Sequence, residues 1–246
     1  WTQRLLPLAG ARRPQLMLHV SKGILQGTHE RLSQKLEPLL GVPVGVLSGP
    51  SFADEVARNL PAAVVLALPE TIEDERAQQF QILLSTPRLR LYLSRDVVGV
   101  ELCGALKNVL AIASGLVESL GFGNNARAAL ITRGMVEMSR LVEKLGGKAE
   151  TVMGLAGAGD LFLTATGQSR NRKFGQLVGS GCKPEVAAAH MGEQVVEGMA
   201  TTQAALDLAA EHGIDLPITR EVAALVRGED PQEAVNRLMQ RSPKSE

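Results

Sequence analysis

Lys107 and Asn108 stand alone as polar residues in the segment Leu102-Cys103-Gly104-Ala105-Leu106-Lys107-Asn108-Val109-Leu110-Ala111-Ile112-Ala113. Onward from Lys107 the same helical stretch offers no carboxylate before Glu118. Burial there would disfavour the ammonium form and lower its pKa, which suits proton transfer near neutral pH. The segment equally permits an amine that snorkels to water along its alkyl stem. Lys22 follows a strand-like run directly and precedes Gly23. Ligands of open α/β sheets bind at the carboxyl ends of strands, where a lysine can meet a phosphate or polarise a carbonyl, or can remain a solvated loop residue. Gly49-Pro50-Ser51-Phe52-Ala53 also follows a strand-like run. Ser51 is placed to N-cap the next helix, and helix N-termini bind anions, although a plain turn and cap has the same sequence.

The densest cluster runs from Gly154 to Lys173. Its glycines, Gly154, Gly157, Gly159 and Gly167, permit close backbone approach to a ligand. Asp160 could hold a lysine or a substrate hydroxyl. Arg170 and Asn171 stand at a predicted helix start, a suitable place for a phosphate clamp. A polar loop leading into a solvated helix is the plainer reading, but such a loop has no need of Ala-Gly-Ala-Gly before its acid. Gly121-Phe122-Gly123-Asn124-Asn125-Ala126 matches the dinucleotide pattern G-x-G-x-x-A but follows a helix rather than a strand, so its context is wrong. Gly157-Ala158-Gly159 lacks the third small residue, since Phe162 occupies its place. His19, His29, His190 and His212 have no ligand-like spacing, no C-x-x-C is present, and a metal site is not expected. A G-x-S-x-G nucleophile turn is also absent.

These residues must be held by two kinds of element. Up to about residue 95, strand-like and helix-like segments alternate: Gln15–Val20, helix Thr28–Leu40, Val42–Leu47, a short helix Ser51–Arg58, Ala62–Leu68, helix Glu70–Leu84 and Leu89–Leu93. That alternation predicts βα units and a largely parallel sheet. Ala62–Leu68 contains no polar residue, as expected of a strand covered on both faces. From Val97 the period is helical throughout. Long helices are predicted over Leu102–Leu120 and Asn124–Leu145. Shorter ones follow at Arg170–Leu177, Lys183–His190, Glu197–His212, Ile218–Arg227 and Gln232–Met239, separated by glycine-bearing turns.

The composition, 45% hydrophobic and 21% charged, is that of a globular chain and excludes a disordered one. Its 246 residues accommodate one large domain or two modest ones. Lys+Arg and Asp+Glu are both 26, so no basic excess points to nucleic acid. Aromatics at 3% are too sparse for base-stacking platforms. No apolar run approaches the ~18 residues of a membrane span. Two cysteines, Cys103 and Cys182, make no disulfide scaffold and fit a reducing, cytoplasmic setting. The chain opens on Trp1 with no signal-peptide pattern, so upstream sequence is expected.

In order, Ser21-Lys22-Gly23, Gly49-Pro50-Ser51-Phe52-Ala53, Cys103-Gly104-Ala105-Leu106-Lys107-Asn108, Gly157-Ala158-Gly159-Asp160-Leu161, Ser169-Arg170-Asn171-Arg172 and Val195-Val196-Glu197-Gly198 form a set that resembles the bacterial-type NAD(P)-dependent glycerol-3-phosphate dehydrogenases. The resemblance runs from about Leu16 to about Met239. It implies an α/β plus all-α fold: residues 1–96 as the C-terminal part of an NAD(P)-binding Rossmann domain, and residues 97–246 as a helical substrate and catalytic domain like that of 6-phosphogluconate dehydrogenase. It also implies interconversion of sn-glycerol 3-phosphate and dihydroxyacetone phosphate with NAD or NADP, supplying glycerol 3-phosphate for phospholipid synthesis. By the same resemblance Lys107 is the proton acceptor. Lys22, Gly49, Ser51, Lys107, Asp160, Thr164, Ser169, Arg170 and Asn171 contact substrate. Lys22, Ala53, Arg170, Val195 and Glu197 contact the cofactor. The family's G-x-G-x-x-G/A unit is not in this chain, and the resemblance implies that it lies upstream. The partner implied is a small phosphorylated molecule, with a homodimer as an open possibility. Two alternatives stand beside this. One is another two-domain NAD(P)-dependent hydroxy- or keto-acid reductase, such as a 3-hydroxyisobutyrate-type dehydrogenase or a ketopantoate reductase, against which Arg170-Asn171-Arg172 weighs. The other is an inactive helical-domain fragment.

Overall fold

The computed structural model describes residues 14–192 and 195–241. Four strands form one sheet in the order β1-β2-β3-β4: β1 (Met17–His19), β2 (Val44–Ser48), β3 (Ala62–Ala67) and β4 (Leu89–Ser94). β1 pairs with β2 in parallel from Met17 opposite Val44 to His19 opposite Val46. β3 and β4 are also parallel, but β2 and β3 run antiparallel, with Ser48 opposite Val65. Two of the three pairings are thus parallel, as the alternating pattern predicts, and the β2–β3 pairing makes the sheet mixed. The reason lies in the connections. Helix α1 (Leu32–Leu40) links β1 to β2 and helix α3 (Asp74–Leu84) links β3 to β4, each long enough to cross over a sheet face. Between β2 and β3 stands only α2 (Ala53–Ala57), five residues that bury none of their side chains. A helix with no apolar face has nothing to lay across the sheet, and the chain folds back instead.

β3 is covered on both faces, as its unbroken apolar composition predicts. Val64, Leu66 and Leu68 pack with Ile72, Ala77 and Leu91. Ala67 and Val65 face the other way, towards Val46, Val97, Val100 and Ala156.

The chain then enters α4 (Val97–Ser119), whose N-cap Asp96 accepts a hydrogen bond from Gly99 N at 2.8 Å. This helix carries Val, Leu and Ala around its whole circumference, so every side of it needs a neighbour. By length and mean hydropathy it could cross a membrane, yet 94% of its apolar window is buried inside the protein. Around it lie α5 (Gly123–Lys144), α6 (Ala149–Met153), a π-helical turn at Leu155–Gly159, α7 (Asp160–Thr166), α8 (Arg170–Gly179), α9 (Pro184–Ala189), α10 (Glu197–Glu211), α11 (Pro217–Val226) and α12 (Pro231–Met239). Among the described residues no strand follows Ser94. α6, the π turn and α7 are elements that the sequence pattern left as loop; their turns are too short and glycine-rich to show a helical period.

α4 and α8 touch backbone to backbone. A Cβ on Gly115 would stand 2.0 Å from the Arg172 carbonyl oxygen, and one on Gly175 would stand 2.0 Å from that of Ile112. The two glycines let the helices cross without side chains between them. That crossing brings the start of α8, with Arg170 and Asn171, up to the middle of α4, with Lys107 and Asn108.

Candidate active site

An open cleft of about 790 Å³ lies where the ends of β1 and β2 face the helices. Lys22, Lys107, Asn108, Thr164, Arg170, Asn171 and Glu197 are among its polar lining, while Val20, Leu47, Phe52 and Val56 make an apolar wall on the sheet side. The volume lies in the range of small-molecule sites.

Beneath it lies Asp160, only 1% exposed. Lys22 Nζ donates to its Oδ2 at 2.6 Å, and Lys107 Nζ donates to its Oδ1. Lys107 also donates to Thr164 Oγ1 at 2.8 Å, whose own hydroxyl donates to the Asp160 carbonyl oxygen at 2.6 Å. Lys107 therefore does not snorkel; at 5% exposure it is a buried amine. Two of its three N–H positions are tied, leaving one for a ligand. Burial pulls its pKa down to about 8; Asp160 opposes that shift and the neighbouring Lys22 ammonium adds to it.

The backbone that aims Asp160 is unusual. The π turn precedes it immediately, and such turns occur mostly as single interruptions at functional sites. Gly157 lies so close to the end of α6 that a Cβ would stand 2.1 Å from the Val152 carbonyl oxygen. Gly104, one turn before Lys107, opens a track for Lys22: a Cβ there would meet the Lys22 Cγ at 3.4 Å and the Ser48 Oγ at 3.2 Å. The sequence shows these glycines but not what they approach.

At the rim, Asn171 Oδ1 accepts from Gly198 N at 2.9 Å, and Asn108 Nδ2 donates to Glu197 Oε2 at 3.1 Å. Arg170 stands 3.9 Å from Glu197 Oε1 and is otherwise open to the cleft. Ser169 N-caps α8, accepting from Arg172 N at 3.1 Å and donating to the Thr164 carbonyl at 2.6 Å. Arg172 turns away: its guanidinium holds both oxygens of Glu118, at 2.9 and 2.8 Å, and the Gly167 carbonyl. It does not join Arg170 and Asn171 in the cleft as the run of basic residues implies.

Ser51 and Ala53 line the cleft, but Ser51 does not cap α2 as expected. Phe52 holds the N-cap position without a side-chain bond, and the Ser51 hydroxyl donates back to the Gly49 carbonyl at 3.1 Å. Gly49, at φ +146°, presses against Val64 behind the wall. Val195 is 68% exposed and lies outside the cleft lining, while its neighbour Glu197 is within it. Asn108 is a cleft residue that the sequence reading noted beside Lys107 without assigning it a contact. Its position directly after the lysine, in an otherwise apolar segment, is the signal the sequence offers. No group of three or more metal-ligating side chains exists among the described residues.

Residues 96–236 match the family model described as NAD-dependent glycerol-3-phosphate dehydrogenase C-terminus, and residues 3–73 match its N-terminus. The chain belongs to the NAD-dependent glycerol-3-phosphate dehydrogenase family. It is 46% identical to the glycerol-3-phosphate dehydrogenase [NAD(P)+] of Janthinobacterium sp. (strain Marseille), over 98% of this chain and 74% of that one. It is 45% identical to the enzyme of the same name from Thermotoga sp. (strain RQ2), over 95% and 71%. The crystal structure of glycerol-3-phosphate dehydrogenase from Coxiella burnetii superposes with a TM-score of 0.89 at 44% identity, covering 98% of this chain and 73% of that one. The solved structure of the glycerol-3-phosphate dehydrogenase of Saccharomyces cerevisiae gives 0.86 at 27% identity, covering 98% and 72%. The sheet is accordingly part of a Rossmann-type dehydrogenase domain, and the helices are the family's C-terminal domain.

The residues present fit the nicotinamide end of NAD or NADP. The cleft is far larger than a three-carbon phosphate and has one apolar wall against which a flat ring can lie. Lys22 and Lys107 line the same cleft.

Proposed function

We propose that this dehydrogenase interconverts sn-glycerol 3-phosphate and dihydroxyacetone phosphate with NAD or NADP, residues 1–96 contributing to cofactor binding and residues 97–246 holding the substrate. One observation carries this reading: two lysines share one buried carboxylate beneath a cleft whose rim presents Arg170 and Asn171. Two ammonium groups against one carboxylate leave a net positive charge, which favours an anionic substrate and the alkoxide that forms during reaction.

Bound NAD or NADP supplies the hydride acceptor for oxidation and the donor for reduction. In oxidation, neutral Lys107 takes the proton of the C2 hydroxyl through its one free position; in reduction it returns that proton to the carbonyl oxygen. Asp160 and Thr164 hold the Lys107 nitrogen in place. Lys22 stabilises the developing negative charge on the same oxygen. Arg170, with Asn171, Ser169 and Ser51 nearby, receives the phosphate, and that remote binding orients the reacting carbon. Lys22, Ala53, Arg170 and Glu197 would hold NAD or NADP along the cleft, with Val195 beside Glu197, and Gly49 would meet the substrate. Product of the reduction is the glycerol phosphate from which phospholipids are built.

Absorbance of NADH or NADPH at equilibrium with each substrate tests this. Turnover of dihydroxyacetone phosphate, with unphosphorylated hydroxy and keto acids left unreacted, is expected. Preference for an unphosphorylated keto acid would overturn the reading in favour of a related reductase.

A further inference from the structure

A second buried carboxylate lies two turns upstream of Lys107 on the same helix and takes no part in the chemistry above. Glu101 is 5% exposed, and its partners come from β1 and the start of α1. Its Oε1 accepts from Ser33 N at 2.8 Å and from His19 Nε2 at 3.1 Å. Its Oε2 accepts from Arg31 Nη1 at 2.7 Å and from the Ser33 hydroxyl at 2.5 Å. Burial alone would push this carboxyl up, but the bonds from His19 and Ser33, with the Arg31 charge, outweigh it and hold the group below its ordinary value.

The donors come from two places. Arg31 and Ser33 belong to the start of α1, whose N-cap Arg31 makes no side-chain cap bond of its own. Glu101 supplies the missing acceptor and an anion where the helix dipole favours one. His19 is the last residue of β1, a three-residue edge strand among the described residues. Three residues later comes Lys22. Between them Val20 is 67% exposed and faces the cleft, and Gly23 follows at φ +147°, so this stretch has little packing of its own. Its anchors are Ile24, buried among the helices, on one side and the His19–Glu101 bond on the other.

We propose that Glu101 is a positioning residue for the reaction: by holding the end of β1 and the start of α1 against α4, it sets Lys22 on Asp160 beside Lys107. The inference rests on the roles given to Lys22 and Lys107 above. Lys107 and Glu101 ride on one rigid helix, whereas Lys22 rides on a loop. A misplacement of about 1 Å in such a group can cost on the order of 100-fold in rate.

A double-mutant cycle with Lys22→Ala tests this on the whole protein. Glu101→Gln is expected to lower kcat for glycerol 3-phosphate about 10- to 100-fold, with a smaller change in KM, and to cause little further loss when Lys22 is already alanine. A purely structural carboxylate would cost the same in both backgrounds. Should Glu101→Gln not fold, His19→Leu and Ser33→Ala enter the same cycle, and His19→Gln, which keeps a donor, is expected to restore most of the rate. A second readout needs no turnover: the rate at which an amine-reactive reagent modifies Lys22, followed by mass spectrometry, should rise in the Glu101 and His19 variants while that of Lys144, at the far end of α5, stays constant. Additive losses of kcat, or Lys22 labelling unchanged in folded variants, would overturn the proposal. Lack of glycerol 3-phosphate turnover by the unmodified protein would count against the proposed function instead, and the labelling result would still decide the role of Glu101.

Discussion

Lys22 and Lys107 reach the two oxygens of a single carboxylate, that of Asp160, from sequence separations of 138 and 53 residues. One cation comes from a loop after the first strand and the other from the central helix. The acid between them starts a helix that follows a π turn. The chemistry assigned to the cleft depends on that meeting.

Lys107→Ala removes the group placed to take the proton. We expect kcat to fall about 10²- to 10⁴-fold, the usual contribution of a positioned acid–base group, with the Kd for NADH changed little. Steady-state kinetics and fluorescence titration measure the two. Near-normal kcat would remove Lys107 from the role.

The lowered pKa of Lys107, about 8, gives the sign of the pH dependence. Oxidation requires the neutral amine, so its kcat/KM should rise with pH and level off above about 8. Reduction requires the ammonium, so its kcat/KM should be highest below about 8 and fall above it. Parallel pH profiles in the two directions are the measurement; the same slope in both would refute the assignment.

Arg170 and Arg172 are two residues apart on α8 and should behave differently. Arg170→Ala is expected to raise the KM for glycerol 3-phosphate by about tenfold to a hundredfold, because a charge-assisted bond contributes roughly 1.5–3 kcal/mol. Arg172→Ala breaks the two-pronged pair with Glu118 and should lower stability by about 1 kcal/mol while leaving KM nearly unchanged. Kinetics and urea unfolding on both variants separate substrate binding from scaffold.

Gly157→Ala drives a Cβ to 2.1 Å from the Val152 carbonyl oxygen, where no flexible side chain can yield. The π turn must open, and a loss of about 2 kcal/mol or more is expected, together with reduced kcat as Asp160 shifts. Gly159→Ala meets nothing closer than 3.5 Å and has ordinary helical angles, φ −62° and ψ −50°. It should be tolerated. Thermal unfolding of the pair checks the contrast.

Much of the architecture could be read from local pattern. The apolar run Ala62–Leu68 required a strand covered on both faces, and the apolar circumference of Val97–Ser119 required a central helix, because a residue's period and polarity act on its nearest neighbours. Lys107 stood out as a charge in an apolar segment, Lys22 by its place after a strand, Asp160 by the glycines before it and Arg170 by its place at a helix start. Tertiary contact decided what each does. Whether Lys107 snorkels or pairs depended on Asp160 arriving from another helix. Arg172 continues the run of Arg170 and Asn171 in sequence, yet it pairs with Glu118 instead of entering the cleft. The antiparallel turn between β2 and β3 followed from α2 having no face to bury. Glu101 also interrupts an apolar stretch, but its four donors come from β1 and the start of α1, so its neighbours in sequence do not show what it holds. Charge pairing and backbone contact at 2–3 Å act between segments far apart in the chain, and only the folded arrangement states which segments meet.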